Sequence, residues 1–237
     1  MSETTPVPTP EGWRAVDAYL TDLLVGHDEA LAHAVRDQRS AGLPPIEVAP
    51  VSAKLLHLLV RIAGARRILE IGTLGGYSTI WLARALPAGG RVTTCEAEPR
   101  NAAVARRSID RAGVGDRVEI RQGRAADVLP TLEGPYDLVF IDADKESNAL
   151  YLDWAARLGR PGTVIVVDNV VRAGRIVDPT ATGSQVEGVR RGLELLAADP
   201  RFDATALQTL DAKGWDGFAI AVVTDADTVA VPEAPLH

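Results

Sequence analysis

Two short acidic segments carry the most chemistry in this chain, Ile141-Asp142-Ala143-Asp144-Lys145 and Val167-Asp168-Asn169. Each completes an apolar run, Leu138-Val139-Phe140-Ile141 and Val164-Ile165-Val166-Val167. Runs without polar alternation read as strands buried on both faces of a parallel sheet. If the two strands are neighbours, their carboxyl ends lie roughly 5 Å apart, on the edge where open α/β sheets bind ligands. Asp142, Asp168 and Asn169 would then offer three oxygens to one point. Hard cations such as Mg²⁺ take oxygen ligands in an octahedron and keep the remaining positions for water or substrate. No cluster of His or Cys competes, which argues against zinc. The bland alternative is that Asp and Asn cap the turns after the strands. Three such residues at two strand tips, with Lys145 beside them, favour a cation site.

A second constellation precedes the first. Ile68-Leu69-Glu70-Ile71-Gly72 reads as a strand, and Thr73-Leu74-Gly75-Gly76-Tyr77-Ser78 opens a helix. Glycines at such a junction let a ligand approach the backbone beside the N–H groups of the helix start. Alone this signal is weak, because a ligand-free tight turn uses the same residues. The spacing departs from the dinucleotide pattern G-x-G-x-x-G, since the glycines after Gly72 are Gly75 and Gly76. Glu70 would oppose a pyrophosphate but suits an ammonium or the surroundings of a sulfonium. Glu96, 24 residues after Gly72, ends the next strand and is placed for ribose hydroxyls. Two carboxylates around one crevice favour a cationic nucleoside cofactor, S-adenosylmethionine, over NAD.

The elements that must hold these residues follow from the periodicity. Strands are expected at Arg67–Gly72, Arg91–Ala97, Val118–Gly123, Asp137–Ala143 and Thr163–Asn169. Helical stretches separate them near Gly76–Leu86, Arg100–Gly113, Ala125–Leu132 and Ala149–Leu158. After a helix at Gln185–Ala198, two strands, Asp203–Leu210 and Phe218–Thr224, flank a loop from Asp211 to Gly217 and suit an antiparallel edge hairpin. The expectation is an α/β fold: a Rossmann-like, mostly parallel sheet of seven strands with that hairpin at its edge and helices on both faces. Extra N-terminal helices come first. Trp13, Val16, Leu20, Leu23 and Leu24 recur at helical spacing, as do Leu31, Ala34 and Val35 after Gly26-His27-Asp28. A third helix carries Leu55, Leu56, Leu59, Val60 and Ile62. One domain spans residues 11–224, with a helical cap to residue 65 and the core from 66; residues 1–10 and 225–237 read as tails.

Composition narrows the function. With 237 residues, 46% of them hydrophobic, one large core is favoured over two thin ones. The net charge of -7 and the lack of a basic run argue against nucleic acid. No apolar run approaches the roughly 20 residues that span a bilayer, and the Pro-rich start lacks a signal-peptide core. A cytoplasmic enzyme is expected. The single cysteine, Cys95, allows no internal disulfide and reads as a buried strand residue. His27, His33, His57 and His237 have no triad setting, and Arg106-Arg107 and Arg190-Arg191 read as solvated helix faces.

Glu70-Ile71-Gly72-Thr73-Leu74-Gly75-Gly76-Tyr77-Ser78, Ile141-Asp142-Ala143-Asp144-Lys145 and Asp168-Asn169, in this order, resemble the cation-dependent O-methyltransferases of the caffeoyl-CoA and catechol type. The similarity runs from about Ile46 to Val223 and includes Leu196-Ala197-Ala198-Asp199-Pro200-Arg201. It implies a metal, Mg²⁺ or another divalent ion such as Mn²⁺ or Ca²⁺, held by Asp142, Asp168 and Asn169. It also implies S-adenosylmethionine contacts from Glu70, Gly72, Ser78, Glu96, Asp142 and Asp144, with main-chain help near Val48, Thr73 and Ala125. Lys145 stands where the catechol enzymes carry their general base. The implied substrate is a small aromatic diol, and the implied assembly a homodimer. Two positions depart from the family. Glu146-Ser147-Asn148 replaces an Asn-Tyr pair, and Arg172 stands where a Trp commonly follows Asp-Asn by three positions. Arg172 could meet an acidic substrate group or point to water. The rival readings are an NAD-linked oxidoreductase and a non-catalytic cofactor-binding protein.

Overall fold

The computed structural model describes residues 9–225. Its central strands are β1 (Arg67–Ile71), β4 (Leu138–Ile141) and β5 (Val164–Asp168), with β2 (Arg91–Glu96) and β3 (Val118–Gln122) between β1 and β4 in sequence. Leu69, Ile71, Val139, Ile141, Ile165 and Val167 pack on one side of the sheet. Ile68, Val92, Leu138, Phe140 and Val166 pack on the other. A strand covered on both faces needs apolar residues at every position, which is why these runs show no period of two. Each such side chain contributes about 1.5–3 kcal/mol of burial.

The covering helices come from two parts of the chain. On the first face lie α6 (Ala125–Val128), α7 (Asn148–Leu158) and α8 (Ser184–Ala198), through Val128, Leu152, Ala155, Val189 and Leu196. On the second face lie α2 (Glu29–Ser40), α3 (Pro50–Ile62), α4 (Tyr77–Ala85) and α5 (Pro99–Arg111), through Leu31, Leu56, Ile80 and Ile109. Local chemistry starts them. Asp28 caps α2 by accepting from Leu31 N at 2.9 Å. Pro50 and Pro99 occupy first-turn positions, where a missing N–H costs nothing.

The sheet order is β3-β2-β1-β4-β5-β7-β6, where β6 is Phe202–Asp211 and β7 is Gly214–Val223. The first five strands pair in parallel, and β7 is antiparallel to both β5 and β6. The chain builds outward from β1 to β3, then returns to place β4 on the other side of β1. That reversal opens a crevice at the tips of β1 and β4, where open sheets bind ligands.

The seven strands, the edge hairpin and the two covered faces agree with the sequence reading; several details do not. The hairpin loop shrinks from the expected Asp211 to Gly217 to the two residues Ala212 and Lys213, because Leu210–Trp215 and Thr209–Asp216 join the ladder. The helix expected over Ala125–Leu132 ends at Val128 and continues as a 3₁₀ turn, Leu129–Thr131, containing the N–H-lacking Pro130. The first helix, α1 (Pro10–Leu20), begins inside the segment read as a tail, and Thr9 Oγ1 caps it by accepting from Gly12 N at 3.1 Å. It runs on as a π-helical turn, Thr21–Val25, which stops at Gly26 (φ 73°). The helical reading of Val16, Leu20, Leu23 and Leu24 holds, and this stripe is exposed, with Leu23 at 63%. The remainder of both expected tails, and His237, lie outside the described residues. No helix among the described residues is long and apolar enough to cross a membrane.

Candidate active site

The loop after β1 is built by close backbone approach. Gly72 has φ 98°, and a Cβ there would stand 2.1 Å from the carbonyl oxygen of Asp142. Only glycine lets the β1 tip lie this near the β4 tip. Leu74 sits in the left-handed region at φ 50°, which a non-glycine residue holds only under external support. Glu96, at the end of β2, supplies it. Its Oε2 accepts from Leu74 N at 2.8 Å and from Thr73 N at 3.3 Å. Its Oε1 accepts from Glu98 N at 2.9 Å and from Asn101 Nδ2 at 3.3 Å. A carboxylate offers about four acceptor positions, so ribose hydroxyls reaching Glu96 would displace the two long bonds first.

Glu70 is fully buried and accepts from Ser78 Oγ at 2.6 Å and Thr79 Oγ1 at 2.5 Å. Burial pushes its carboxyl up to about 7, against the pull of these hydroxyls. Its carboxylate is enclosed, so any influence on a ligand passes through Ser78, which lines the crevice. Thr73 Oγ1 is held by Thr94 Oγ1 at 2.6 Å.

The crevice encloses about 700 Å³, within the range of small-molecule sites. Val48, Gly72, Thr73, Ser78, Glu96, Ala125, Asp142, Asp144, Lys145 and Asn169 all line it. Glu70 and Asp168 stand behind that lining. The sheet order separates two ends, with Glu96, Asn101 and Ala125 on the β2–β3 side of Gly72 and the acidic cluster on the β4–β5 side.

At the acidic end, Ile141 pairs with Val167, which makes Asp142 and Asp168 the next residues on adjacent parallel strands. Lys145, only 5% exposed, donates from Nζ to Asp142 Oδ1 at 2.8 Å. Burial first, and then the Asp142 charge, push the Asp168 carboxyl well above the usual carboxylate range, opposed by Lys145 and by Asn169 N, which donates to Asp168 Oδ1 at 2.8 Å. Asn169 has φ 60°, a conformation Asn tolerates better than most residues. Its side-chain amide has no hydrogen bond among the described residues. Two carboxylates thus face one ammonium in a poorly solvated pocket, and a cation would relieve the surplus. Among the described residues no three His, Cys, Asp or Glu side chains converge as a metal group. The oxygen set is two carboxylates and one amide, which suits a hard cation.

Lys145 owes its place to α8. A Cβ on Gly188 would lie 2.2 Å from Lys145 O and 2.6 Å from Glu146 Cα. Asp144 is exposed, and its carboxylate accepts from the Ser147 and Tyr151 hydroxyls. Cys95 lines the floor, but burial pushes its thiol up to about 12, so it is no nucleophile at neutral pH.

Sequence reasoning missed some of the lining. Gln38, fully buried, donates from Nε2 to Pro44 O and Glu47 Oε2, each at 2.8 Å, and packs against Gly75. Tyr77, Asn101, Arg124 and Gln185 also line the crevice. No spacing rule links these positions, because the fold joins the cap helices to the loops. Arg190 corrects the solvated-face reading. It donates to the carbonyls of Ile176, Ala181, Arg175 and Asp178 at 2.6–3.0 Å and so clamps the loop before α8. His27 and His33 pair with Glu29 at the surface, and His57 bonds Trp81 O at 3.3 Å.

A parallel sheet with a glycine crevice at its switch point and acidic residues at adjacent strand tips is the architecture of Rossmann-like transferases. An O-methyltransferase from Bacillus cereus, solved in complex with SAH, shares it with a TM-score of 0.89 and 52% identity, covering 91% of this chain and 100% of that one. The O-methyltransferase family model matches residues 23–214, and the chain belongs to that enzyme family. A catechol O-methyltransferase of Mycobacterium tuberculosis is 54% identical over 209 residues, covering 88% of this chain and 94% of the relative. One of Niastella koreensis is 49% identical over 215 residues, covering 89% and 97%. The resemblance carried by the three motifs is borne out at the level of the family.

Proposed function

We propose that this chain transfers the methyl group of S-adenosylmethionine to one hydroxyl of a catechol-like small molecule, with a divalent cation, Mg²⁺ or a related hard ion, at the acidic end of the crevice. Asp142 and Lys145 in the cavity that also holds the Gly72 loop, with Asp168 beside them just behind the lining, carry this reading. The names of the relatives, and the SAH complex of one of them, support it.

The donor supplies an electrophilic methyl group on a sulfonium. The residues suited to hold it are Gly72, Thr73, Ser78 and Glu96, with Val48, Ala125 and Asp144 at the margins and Glu70 acting through Ser78. Asp142, Asp168 and the Asn169 amide are the oxygen ligands suited to a hard cation, which would supply Lewis-acid polarisation of the acceptor hydroxyl. A phenol, with a pKa of about 10, is mostly protonated at neutral pH. Lys145 Nζ, 2.8 Å from Asp142 Oδ1, would take that proton in its unprotonated amine form, after the proton it now donates to Asp142 has left. The enclosed walls hold donor and acceptor together, and such positioning is worth roughly 7–11 kcal/mol in intramolecular models. The exposed face of Val16, Tyr19, Leu23 and Leu24 supports the homodimer reading, which sedimentation at low and high concentration tests.

The deciding experiment pairs turnover with binding. Enzyme stripped with EDTA should lose catechol methylation and recover it with Mg²⁺, while Mn²⁺ titrated into stripped protein should show one bound ion by EPR, weakened by Asp168→Asn. Full turnover in EDTA with no bound Mn²⁺ would defeat the metal. NAD binding in place of S-adenosylmethionine in calorimetry would revive the oxidoreductase alternative.

A further inference from the structure

We propose that the methyl acceptor carries a carboxylate in addition to its diol and that Arg172 binds that carboxylate, an assignment that rests on the diol-methylating reading above. Arg172 lies on the loop after β5 and lines the cavity with Lys145, Asn169 and Gln185, at the acidic end. Its backbone is left-handed at φ 56°, as is that of Ala173 at φ 55°. L side chains disfavour this region, and they persist there where surrounding contacts over-determine them. Here Asp216 does so, its Oδ1 accepting from Val171 N at 3.0 Å and Arg172 N at 2.9 Å. Gly174 completes the turn at φ 78°, and a Cβ there would meet the Trp215 ring at 2.7 Å. The loop is therefore fixed with its arginine against the cavity.

The charge of that arginine is uncompensated. Nη2 donates to the neutral Gln185 Oε1 at 2.5 Å, and Nε is buried with no hydrogen-bond partner. No carboxylate among the described residues forms an ion pair with it. The other cation at this end, Lys145, is already paired with Asp142 at 2.8 Å. A planar guanidinium with free N–H groups matches a carboxylate through two parallel hydrogen bonds. Asp142 and Asp168 repel an anion placed on them, so the carboxylate is received at Arg172 and the diol is turned towards Asp142 and Lys145. The acid thus binds in one orientation.

The test compares kcat/KM for 3,4-dihydroxybenzoate, 3,4-dihydroxyphenylacetate and 3,4-dihydroxycinnamate, each against its neutral amide. Wild type should prefer at least one acid by about tenfold or more, the scale of a hydrogen-bonded charge pair, and the preference should shrink at high salt. Arg172→Gln should bring the acid-to-amide ratio to about one, and Arg172→Lys should retain part of it. Calorimetry of the same ligands on SAH-saturated enzyme reads the discrimination without turnover. If the Arg172→Gln loop loses its shape, the wild-type ratio and its salt dependence still decide. A wild type indifferent to the charge, or an Arg172→Gln variant that keeps the preference, overturns the proposal and leaves the diol reading standing. Failure to methylate any diol, acid or amide, removes both.

Discussion

Replacing Gly188 by alanine sets two calculable effects against each other. Within α8, alanine is the better helix former by about 1 kcal/mol. Against this, the new Cβ would lie 2.2 Å from Lys145 O, 2.6 Å from Lys145 C and 2.6 Å from Glu146 Cα. All three are backbone atoms, so no side chain can swing aside. Ordinary contact requires the helix and the 3₁₀ turn Lys145–Ser147 to part by roughly 1 Å, and overpacking of this kind costs about 1–3 kcal/mol. The steric term wins, leaving a net loss of up to about 2 kcal/mol. At about 2–4 °C per kcal/mol for a domain of this size, the melting temperature falls by several degrees. The larger effect is on turnover. A reacting group misplaced by about 1 Å loses on the order of 100-fold in rate, and the group displaced is Lys145. Affinity for S-adenosylmethionine should change less than turnover, because Gly72, Thr73, Ser78 and Glu96 belong to β2, α4 and the loop between β1 and α4, not to the displaced turn. Gly192→Ala is the internal control. On the same helix, its Cβ would meet the Asn148 Cβ at 3.1 Å and nothing else nearer than 3.7 Å, so a shift of a few tenths of an ångström suffices and the loss should be much smaller than at Gly188. Circular-dichroism melts, kcat at saturating donor and calorimetric donor binding test the pair. A Gly188→Ala enzyme as stable as Gly192→Ala and with wild-type kcat would refute the reasoning.

Three further perturbations separate other parts of the site. Lys145→Ala should lower kcat by about 100-fold or more with donor affinity retained; an unchanged kcat removes Lys145 from the base role. Gly72→Ala forces a side chain into φ 98° and to 2.1 Å from Asp142 O, and should cost about 2–5 kcal/mol together with donor binding; a wild-type melting curve and affinity would contradict the close-approach account. Glu70 has a folded value of about 7 against an ordinary 4.5, so the folded protein keeps a proton that the unfolded chain releases between those pH values. Its contribution is full below pH 4.5 and declines as pH rises through about 7, by on the order of 3 kcal/mol. Glu70→Gln should lose less stability than wild type between about pH 5 and pH 8, and parallel melting curves for the two proteins would be inconsistent with this.

The parts of the fold legible in the sequence were those governed by local pattern. Continuous apolar runs marked strands covered on both faces, and the glycines after β1 marked the crevice only together with the carboxylates Glu70 and Glu96 on either side of them. Asp142 after Ile141, and Asp168-Asn169 after Val167, were legible because each ends such a run. Arg190 was misread because its four carbonyl partners are supplied by a loop that comes near only after folding. The stripe from Val16 to Leu24 was legible as helix, but periodicity reports that a face needs cover, not which body provides it.

By itself, then, the order of residues determined the class of sheet, the glycine turn, the acidic and amide side chains that follow β4 and β5 and the lysine beside them, since each depends on neighbours within a few positions. Only the tertiary structure decided that Asp142 and Asp168 are adjacent, that Glu70 is sealed behind Ser78 and that Asp216 holds Arg172 at the cavity wall. Those relations join residues tens of positions apart. They are set by strand order and by packing between elements, which no local spacing encodes.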